Sequence, residues 1–168
     1  MNADNLTIIA LGSNVGDSQS ILLRAMERLA GLSSRPLLKS SLWQTTPVNC
    51  PPGSPMFLNA VVGLVAPLTE TPESLLEKLL QIEKEFGRKS TNTPNEPRRL
   101  DLDLIAFGRA TRTSKDLTLP HPRAHERQFV LQPLSEIAPA LILPGQRRTV
   151  AELLAALHTG EKLVHLNV

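Results

Sequence analysis

Apolar residues along this chain fall into two kinds of pattern, one typical of strands and one typical of helices. Residues 6–11 and 57–65 are apolar runs of a length and composition that predict buried β-strands. Residues 18–31 instead carry apolar side chains three and four positions apart, which predicts an amphipathic helix. The same spacing follows Thr71, so we expect a second helix there with one apolar face, formed by Leu75, Leu76, Leu79, Leu80 and Ile82.

The residues that flank the two helical patterns are of types that begin and end helices. Asp17 or Ser18 is a predicted N-cap of the first helix, since a side-chain oxygen there accepts a hydrogen bond from the first turn. Gly31 is the predicted end of that helix. Thr71 and Pro72 suit the N-cap and the first helical position of the second helix.

Weaker patterns predict the rest of the fold. Strands are expected at 37–46, 100–107 and 117–119, and helices at 128–137 and 149–158. Over the first two thirds of the chain the order is strand, helix, strand, strand, helix, strand, which is the order of a ferredoxin-like fold. We therefore expect an α+β sandwich in which helices pack on one mostly antiparallel sheet, followed by a C-terminal extension.

Length, composition and charge narrow the possible classes. With 168 residues, 41% of them apolar, the chain is expected to form one domain over residues 1–168. A net charge of +2 is too small to indicate nucleic-acid binding on its own. The single cysteine, Cys50, excludes an intrachain disulfide, and we see neither a signal peptide nor an apolar run of about 18 residues. These features favour a cytoplasmic enzyme or binding domain that does not contact a membrane.

Two aspartates interrupt the predicted strand in the stretch PRRLDLDLIAFG. Because side chains two positions apart on a strand point to the same face, Asp101 and Asp103 are expected to project together, while Leu100, Leu102 and Leu104 face the core. Two neighbouring carboxylates repel unless one is protonated or cations lie between them. Carboxylates suit Mg²⁺, which takes one or two of them together with waters and phosphates. A metal site and a strand edge with incidental charges both account for the pair, and Asp-x-Asp is also a metal motif of nucleotide-sugar glycosyltransferases.

Arginines and histidines near this pair favour a polyphosphate site. Arginine binds phosphate through two parallel hydrogen bonds, and metal-binding carboxylates surrounded by arginines are typical of enzymes that act on polyphosphates. A solvated basic surface is the alternative. No P-loop is present, since GSNVGDS after the first strand lacks the lysine and the spacing of that motif. The side chains concerned are Arg88, Arg98, Arg99, His121, Arg123, His125 and Arg127.

Six segments, in order along the chain, resemble the 6-hydroxymethyl-7,8-dihydropterin pyrophosphokinase family. Each segment is weak evidence alone, but together they are specific, and the resemblance runs from about residue 6 to about residue 155. The segments are IIALGSNVGD (8–17), TTP (45–47), FLNAVV (57–62), IEKEFGR (82–88), PRRLDLDLIAFG (97–108) and LPHPRAHERQFVLQPLSEIAP (119–139).

This resemblance implies an activity and a mechanism. Members of the family transfer the β,γ-pyrophosphoryl group of ATP to the hydroxymethyl group of a reduced pterin, which leaves AMP, in folate biosynthesis. Their fold is a ferredoxin-like α+β sandwich, in agreement with the order of elements above. Their paired aspartates bind two Mg²⁺ ions that bridge the ATP phosphates, so Asp101 and Asp103 are the implied metal ligands and, with Arg88 and Arg98, the implied catalytic residues. One of the aspartates is also a candidate for taking the hydroxyl proton.

The resemblance also implies two sets of binding residues. Two phenylalanine rings can stack on a flat pterin, and an asparagine amide can bind its edge; core packing is the alternative for both rings. The implied ATP-binding set is Glu83, Arg88, Arg98, Leu104, Thr118, His121 and Arg127. The implied pterin-binding set is Thr46, Pro47, Val48, Phe57, Asn59 and Phe129.

The sequence departs from the family in two loops that the resemblance implies to be mobile, 47–56 and 88–98. Glu96 stands where a glycine is usual, and Pro94 and Asn95 replace a frequent basic residue and a frequent aromatic residue. In the first loop, Asn49 and Cys50 stand where a glycine is common. Closure of both loops over the substrates would exclude water, and we expect ordered binding with ATP first. The departures change the sequence of both loops, but they leave the metal and arginine positions unchanged.

Two other functions fit parts of the sequence. Another diphosphate transferase or nucleotidyltransferase would use the same carboxylates on a different acceptor, and Phe57, Asn59 and Phe129 count against it. An RNA-binding domain would stack bases on aromatic residues of its central strands, but LTIIAL has none. We therefore expect a monomeric enzyme that uses ATP, hydroxymethyldihydropterin and two Mg²⁺ ions and binds no nucleic acid.

Overall fold

The fold is described from a computed structural model of the chain, which covers residues 3–14, 17–45, 56–87, 99–159 and 162–166. The strands are β1 Leu6–Ser13, β2 Leu38–Lys39, β3 Leu42–Thr45, β4 Phe57–Val65, β5 Asp101–Phe107, β6 Arg112–Thr113, β7 Thr118–Leu119 and β8 Leu163–Leu166. The helices are α1 Ser18–Ala30, α2 Pro72–Glu85, α3 Gln128–Ile137 and α4 Val150–Ala156, with 3-10 turns at Ala3–Asn5 and Ala124–Glu126.

One antiparallel sheet organises the fold. Its strand order is β5-β1-β4-β3-β8, and β2 also pairs with β4. Because β1 and β3 both run antiparallel to β4, α1 connects two parallel strands that have a third strand between them. This is the ferredoxin-like arrangement, and the predicted α+β sandwich is confirmed. The short strands β6 and β7 form a separate two-stranded sheet.

Two buried clusters lie on the two faces of the sheet. Alternate strand residues such as Ile9, Leu11 and Leu102 pack with residues of α1 and α2. The intervening positions, such as Ile8 and Ala10, pack with residues of α3 and α4. The central strands β1 and β4 are therefore buried on both sides, which explains why their sequences are continuous apolar runs.

The helix boundaries follow the predicted caps. The Asp17 carboxylate accepts a hydrogen bond from the backbone N–H of Ser20 at 3.3 Å, and Gly31 is the C-cap of α1. At the start of α2, the Thr71 hydroxyl accepts from the backbone N–H of Ser74, and the Ser74 hydroxyl accepts from the backbone N–H of Thr71. This reciprocal pair is a capping box, which satisfies two backbone donors that the helix cannot pair.

The strand predicted at 37–46 is interrupted. β2 and β3 pair with β4 in registers that differ by one residue, and Ser40 lies between them. The Ser40 hydroxyl accepts a hydrogen bond from the backbone N–H of Val61 at 2.9 Å. A side-chain oxygen thus replaces a carbonyl in the ladder, and one predicted strand becomes two short strands around a bulge.

Other predictions differ in detail. Leu80, expected on the apolar face of α2, is 48% exposed, since it lies one position beyond the buried stripe that contains Leu79. The predicted last helix is shorter than expected, and β6 and β8 were not predicted. β8 pairs with β3, so the C-terminal extension contributes a strand to the main sheet.

Candidate active site

Asp101 and Asp103 lie on β5, at one edge of the described sheet, and point to the same face. Asp101 is opposite Gly12 on β1, and Asp103 is opposite Ala10. Both aspartates are partly buried. The leucines that alternate with them are buried with α1 and α2, as predicted. Because the neighbouring residues on β1 are a glycine and an alanine, the sheet face beside the two carboxylates is not filled by large side chains of that strand.

Glu83 of α2 lies beneath this strand and is 2% exposed. Its carboxylate accepts a hydrogen bond from the backbone N–H of Leu102 at 2.7 Å. Leu102 lies between Asp101 and Asp103, on the strand that forms the edge of the described sheet. The carboxylate thus supplies the acceptor that a neighbouring strand would otherwise provide, at the point where the two aspartates project. The resemblance implies Glu83 as a lining residue of the nucleotide pocket, and the structure places it against the strand that carries the metal-ligand candidates.

A β-bulge follows the aspartates. The register between β1 and β5 shifts by one residue after Leu104, which leaves Ile105 as the extra residue of β5. The carbonyl of Ile105 accepts a hydrogen bond from the backbone N–H of His121 at 2.8 Å. The bulge therefore fixes the segment that contains His121 against the strand that carries Asp101 and Asp103.

The local environment favours the neutral form of His121. Its Nδ1 accepts a hydrogen bond from the backbone N–H of Arg123 at 3.2 Å, so this nitrogen carries no proton. Burial, followed by the charges of Arg127 and Arg123, lowers the pKa of His121 below its ordinary value of 6.5. In the neutral ring the proton is on Nε2, which leaves that nitrogen as a hydrogen-bond donor.

Arg127 and Phe129 lie at the start of α3. The guanidinium carbon of Arg127 is 5.5 Å from the centroid of the Phe129 ring, within the range of a cation–π contact. The Phe129 ring is partly buried against the cluster under α3. Thr118 is exposed on β7, whereas the Leu104 side chain is buried with α1 and α2. Leu104 can therefore line a nucleotide pocket only through its backbone.

Asn59 stands in a row of residues that crosses the sheet. Its partner on β1 is Gly12, which is opposite Asp101 on β5. The Asn59 side chain is buried, and its Nδ2 donates to Thr45 Oγ1 at 2.9 Å, which is the polar partner that such an amide needs. Phe57 lies two residues before Asn59 on the same strand and is 37% exposed.

Gly12 and Thr45 are missing from the sequence-based sets. A Cβ at Gly12 would lie 3.4 Å from Asn59 Oδ1, so the glycine keeps the space between the amide and the Asp101 carboxylate open. Both residues matter because of strand register, which brings together positions far apart in the chain. The sequence offers only a weak trace of Gly12, in the turn-like GSN that follows the first apolar run.

Several predicted residues lie outside the described part of the chain. The structure therefore does not place Thr46, Pro47, Val48, Arg88 or Arg98. The departures at Asn49, Cys50, Pro94, Asn95 and Glu96 also lie outside the described residues, as do the two loops predicted to be mobile, apart from Met56.

A cavity of about 570 Å³ lies elsewhere, between the side of α1 from Ile21 to Arg28, the end of α2 and Arg99. Its lining residue Ile21 belongs to the cluster under α1 and α2, so the cavity is on the sheet face opposite to the aspartates. Within it the Arg28 guanidinium donates to both carboxylate oxygens of Glu85, at 2.9 and 2.8 Å. These two charges are already paired, and we do not assign the cavity to the candidate active site.

Over the described ranges, no three His, Cys, Asp or Glu side chains come together as a metal cluster. No helix in the described part of the chain is long and apolar enough to cross a membrane.

The chain matches a known family of enzymes. Residues 8–139, which are most of the chain, match the family described as 7,8-dihydro-6-hydroxymethylpterin-pyrophosphokinase (HPPK). The protein belongs to this family. It is therefore a pyrophosphokinase of folate biosynthesis, which transfers a pyrophosphoryl group to hydroxymethyldihydropterin. ATP as the co-substrate follows from the same membership.

Individual relatives agree with this assignment. The chain is 40% identical over 149 residues to 2-amino-4-hydroxy-6-hydroxymethyldihydropteridine pyrophosphokinase of Methylorubrum extorquens, with 89% of this chain and 91% of the relative covered. It is 40% identical over 135 residues to the protein of the same name in Bacillus subtilis, with 80% of this chain and 78% of the relative covered.

Solved structures agree with the fold. The structure of wild-type Plasmodium falciparum HPPK-DHPS with pteroate is similar, with a TM-score of 0.69 and 13% identity. The comparison covers 90% of this chain, and this chain spans 42% of that longer one. At this low identity the likeness supports the α+β fold alone.

Proposed function

We propose that this enzyme transfers the β,γ-pyrophosphoryl group of ATP to the pterin hydroxymethyl group, with Asp101 and Asp103 as ligands of two Mg²⁺ ions. The row Asn59–Gly12–Asp101 carries the proposal. In this row the buried Asn59 amide, which is the candidate for binding the pterin, lies on the same face of the sheet as the Asp101 carboxylate. Only Gly12 lies between them. Neighbouring strands are about 5 Å apart, so the amide and the carboxylate belong to positions about 10 Å apart, a span that suits two substrates that react with each other.

The two aspartates fit the ligand set that Mg²⁺ takes from proteins. They are oxygen ligands, they share one face, and they are partly accessible at the edge of the described sheet. When bound, the ions would neutralise the charge of the phosphates and act as Lewis acids on them. The opposite residues on β1, Gly12 and Ala10, leave room for ions and phosphates beside the carboxylates.

The acceptor would be held by the Asn59 amide and by aromatic rings. The bond from Nδ2 to the Thr45 hydroxyl uses one of the two amide N–H groups and fixes the plane of the amide. The partly buried Phe129 ring and the partly exposed Phe57 ring offer flat apolar surfaces on which a pterin can stack. The predicted contacts from residues 46–48 would complete this site. One of the aspartates would help to take the hydroxyl proton, because a carboxylate beside the attacking group can act as a general base.

The nucleotide would lie along β5 and the segment around His121. The bond from the His121 backbone N–H to Ile105 holds this segment beside the aspartates. Arg127 contacts the Phe129 ring, so it places a positive charge next to the ring that is proposed to stack on the pterin. Its guanidinium would interact with the phosphates. Arg88 and Arg98 remain predicted phosphate ligands, and Thr118, Leu104 and Glu83 remain predicted neighbours of the nucleotide. Catalysis of this kind depends mostly on positioning and electrostatic stabilisation.

Some predictions about the whole protein are kept as proposals. We propose that residues 1–168 form a single pyrophosphokinase domain, and the pairing of β8 with β3 supports this because it joins the C-terminal extension to the main sheet. We also propose that the protein acts as a cytoplasmic monomer on small-molecule substrates, without nucleic acid, and that ATP binds first.

The test is to incubate the protein with ATP, Mg²⁺ and hydroxymethyldihydropterin and to measure AMP. We expect AMP only when all three are present. Asp101→Asn and Asp103→Asn should each abolish most of this activity, whereas Glu27→Gln, which changes an exposed carboxylate on α1, should not. Production of ADP would contradict pyrophosphoryl transfer, and full activity without a divalent ion would contradict the proposed metal site.

A further inference from the structure

Glu136, near the end of α3, makes three hydrogen bonds to β3 and the residue before it. Its Oε1 accepts from the indole N–H of Trp43 at 2.6 Å and from the backbone N–H of Ser41 at 3.2 Å. Its Oε2 accepts from the Ser41 hydroxyl at 2.7 Å. These three contacts are referred to here as the Glu136 clamp. Hydrogen bonds to a carboxylate are short and directional, so the clamp fixes the position of the helix relative to the strand.

The strand that the clamp holds supports the proposed pterin site from one side. Trp43 pairs directly with Asn59 on β4. Thr45, two residues further along β3, accepts the hydrogen bond from the Asn59 amide. Because Asn59 is buried, the orientation of its amide depends on this hydroxyl. A displacement of β3 along β4 would therefore move the Thr45 hydroxyl and change the orientation of the Asn59 amide.

The helix that the clamp holds supports the same site from the other side. Phe129 is the second residue of α3, and Glu136 is the second-to-last. The two residues are about 10 Å apart along the helix axis, so a displacement at the clamp reaches Phe129 through the helix backbone. Pro133 lies between them and supplies no N–H to the helix, so the other backbone hydrogen bonds carry this coupling. The residues Val130, Leu131 and Leu134 pack α3 on the sheet through apolar contacts. Such contacts are non-directional, and they do not define the position of the helix along the sheet as hydrogen bonds do.

We propose that Glu136 is a positioning residue that sets the separation of Phe129 from Asn59 and thereby the affinity for the pterin. This inference rests on the proposed function, in which those two side chains bind the pterin. The clamp holds β3, whereas the aspartates lie on β5, which is separated from β3 by the two strands β1 and β4. Its loss is therefore expected to weaken pterin binding more than nucleotide binding, because both pterin contacts depend on the clamp, whereas only Arg127 of the proposed nucleotide contacts lies at the start of α3.

The test compares pterin binding with nucleotide binding in clamp variants. Glu136→Gln keeps the size of the side chain but removes the charge and one acceptor oxygen. Trp43→Phe removes the indole N–H and keeps an aromatic ring beside His165, which now packs edge-on against Trp43 at 5.2 Å between centroids. Glu27→Gln is the matched control, since it makes the same chemical change on an exposed residue of α1, which packs on the opposite face of the sheet.

Dissociation constants are measured by calorimetry for a non-hydrolysable ATP analogue with Mg²⁺, and then for the pterin in its presence. We expect Glu136→Gln to raise the pterin Kd about tenfold, the effect of losing one charged hydrogen bond, and to raise the analogue Kd clearly less, by about two- to threefold, through the accompanying shift of Arg127. Trp43→Phe should also weaken pterin binding, and the double variant should lose less than the two single losses combined. Trp43 is the only tryptophan, so its fluorescence should also change in Glu136→Gln if the clamp exists in solution.

The outcomes separate the two ideas. A wild-type enzyme that makes AMP, with Glu136→Gln binding the pterin as tightly as Glu27→Gln, would overturn the positioning role alone. An equal loss of pterin and nucleotide affinity would overturn it too, because that result indicates a general loosening of the fold. A wild-type protein that binds the nucleotide analogue but neither binds the pterin nor forms AMP would refute the proposed function, and the inference with it.

Discussion

Glu83 provides the sharpest test of how the fold supports the aspartates. Its carboxylate accepts a hydrogen bond from the backbone N–H of Leu102 at 2.7 Å, and the residue is 2% exposed. In Glu83→Leu the backbone N–H stays buried but loses its acceptor, whereas Glu83→Gln keeps an acceptor oxygen at the same position. A buried donor without a partner costs about 1–3 kcal/mol, and the value is at the upper end when the lost acceptor is charged.

This cost predicts a measurable loss of stability. For a chain of this size each kcal/mol lowers Tm by about 2–4 °C, so Glu83→Leu should lower Tm by about 2–12 °C. Glu83 has further interactions, and this range refers to the Leu102 contact alone. Glu83→Gln should retain part of the stability that Glu83→Leu loses, and Glu77→Gln, on the exposed side of the same helix, should change it by less than about 0.5 kcal/mol.

The assay is urea denaturation with thermal melting, followed by turnover under conditions where each variant is folded. If Glu83 also positions the strand between Asp101 and Asp103, Glu83→Leu should lose at least about tenfold in kcat at a temperature where it remains native. A Glu83→Leu variant as stable as the Glu77→Gln control would refute the reasoning, because the Leu102 N–H would then not depend on this carboxylate.

Three other predictions concern single residues. Asp103→Asn should lower kcat by at least about 10²-fold, as expected for loss of a group that stabilises charge during transfer, and near-normal turnover in steady-state kinetics would count against its role. The pKa of His121 is lowered below 6.5, so the neutral imidazole makes its full contribution to the stability of the native state above that pH. This contribution is lost as pH falls from 6.5 through the folded-state pKa. NMR titration of the imidazole should show a pKa below 6.5, and an apparent pKa above 6.5 in the free enzyme would disprove the prediction. If His121 also lies near the nucleotide phosphates, the ATP analogue should raise that pKa. Thr71→Ala should remove one part of the capping box and cost about 1 kcal/mol in thermal melts, with unchanged kcat at 25 °C, and no change in Tm would show that the cap contributes nothing.

The features that the sequence predicted correctly depend on residues that are close together along the chain. The alternation of Asp101 and Asp103 with buried leucines follows from the two-residue period of a strand, and the structure confirms it. The caps at Asp17 and Thr71 were predictable for the same reason, since an N-cap contacts a backbone group only three residues away. The bulge at Ser40 was not predictable from periodicity, because a hydroxyl that replaces a carbonyl in the ladder leaves no mark in the apolar pattern.

The parts of the site that the sequence missed are those that depend on register between distant strands. Gly12 matters because β1 lies between β4 and β5, which places it between Asn59 and Asp101. Thr45 matters because the bulge at Ser40 shifts β3 by one residue, which sets the partner of each β3 residue on β4. Without that shift, Thr45 would be opposite a neighbour of Phe57, and its hydroxyl would not lie where it accepts the hydrogen bond from the Asn59 amide. The bulge therefore has a consequence for chemistry: it places a hydroxyl where the buried amide of the proposed pterin site needs a partner.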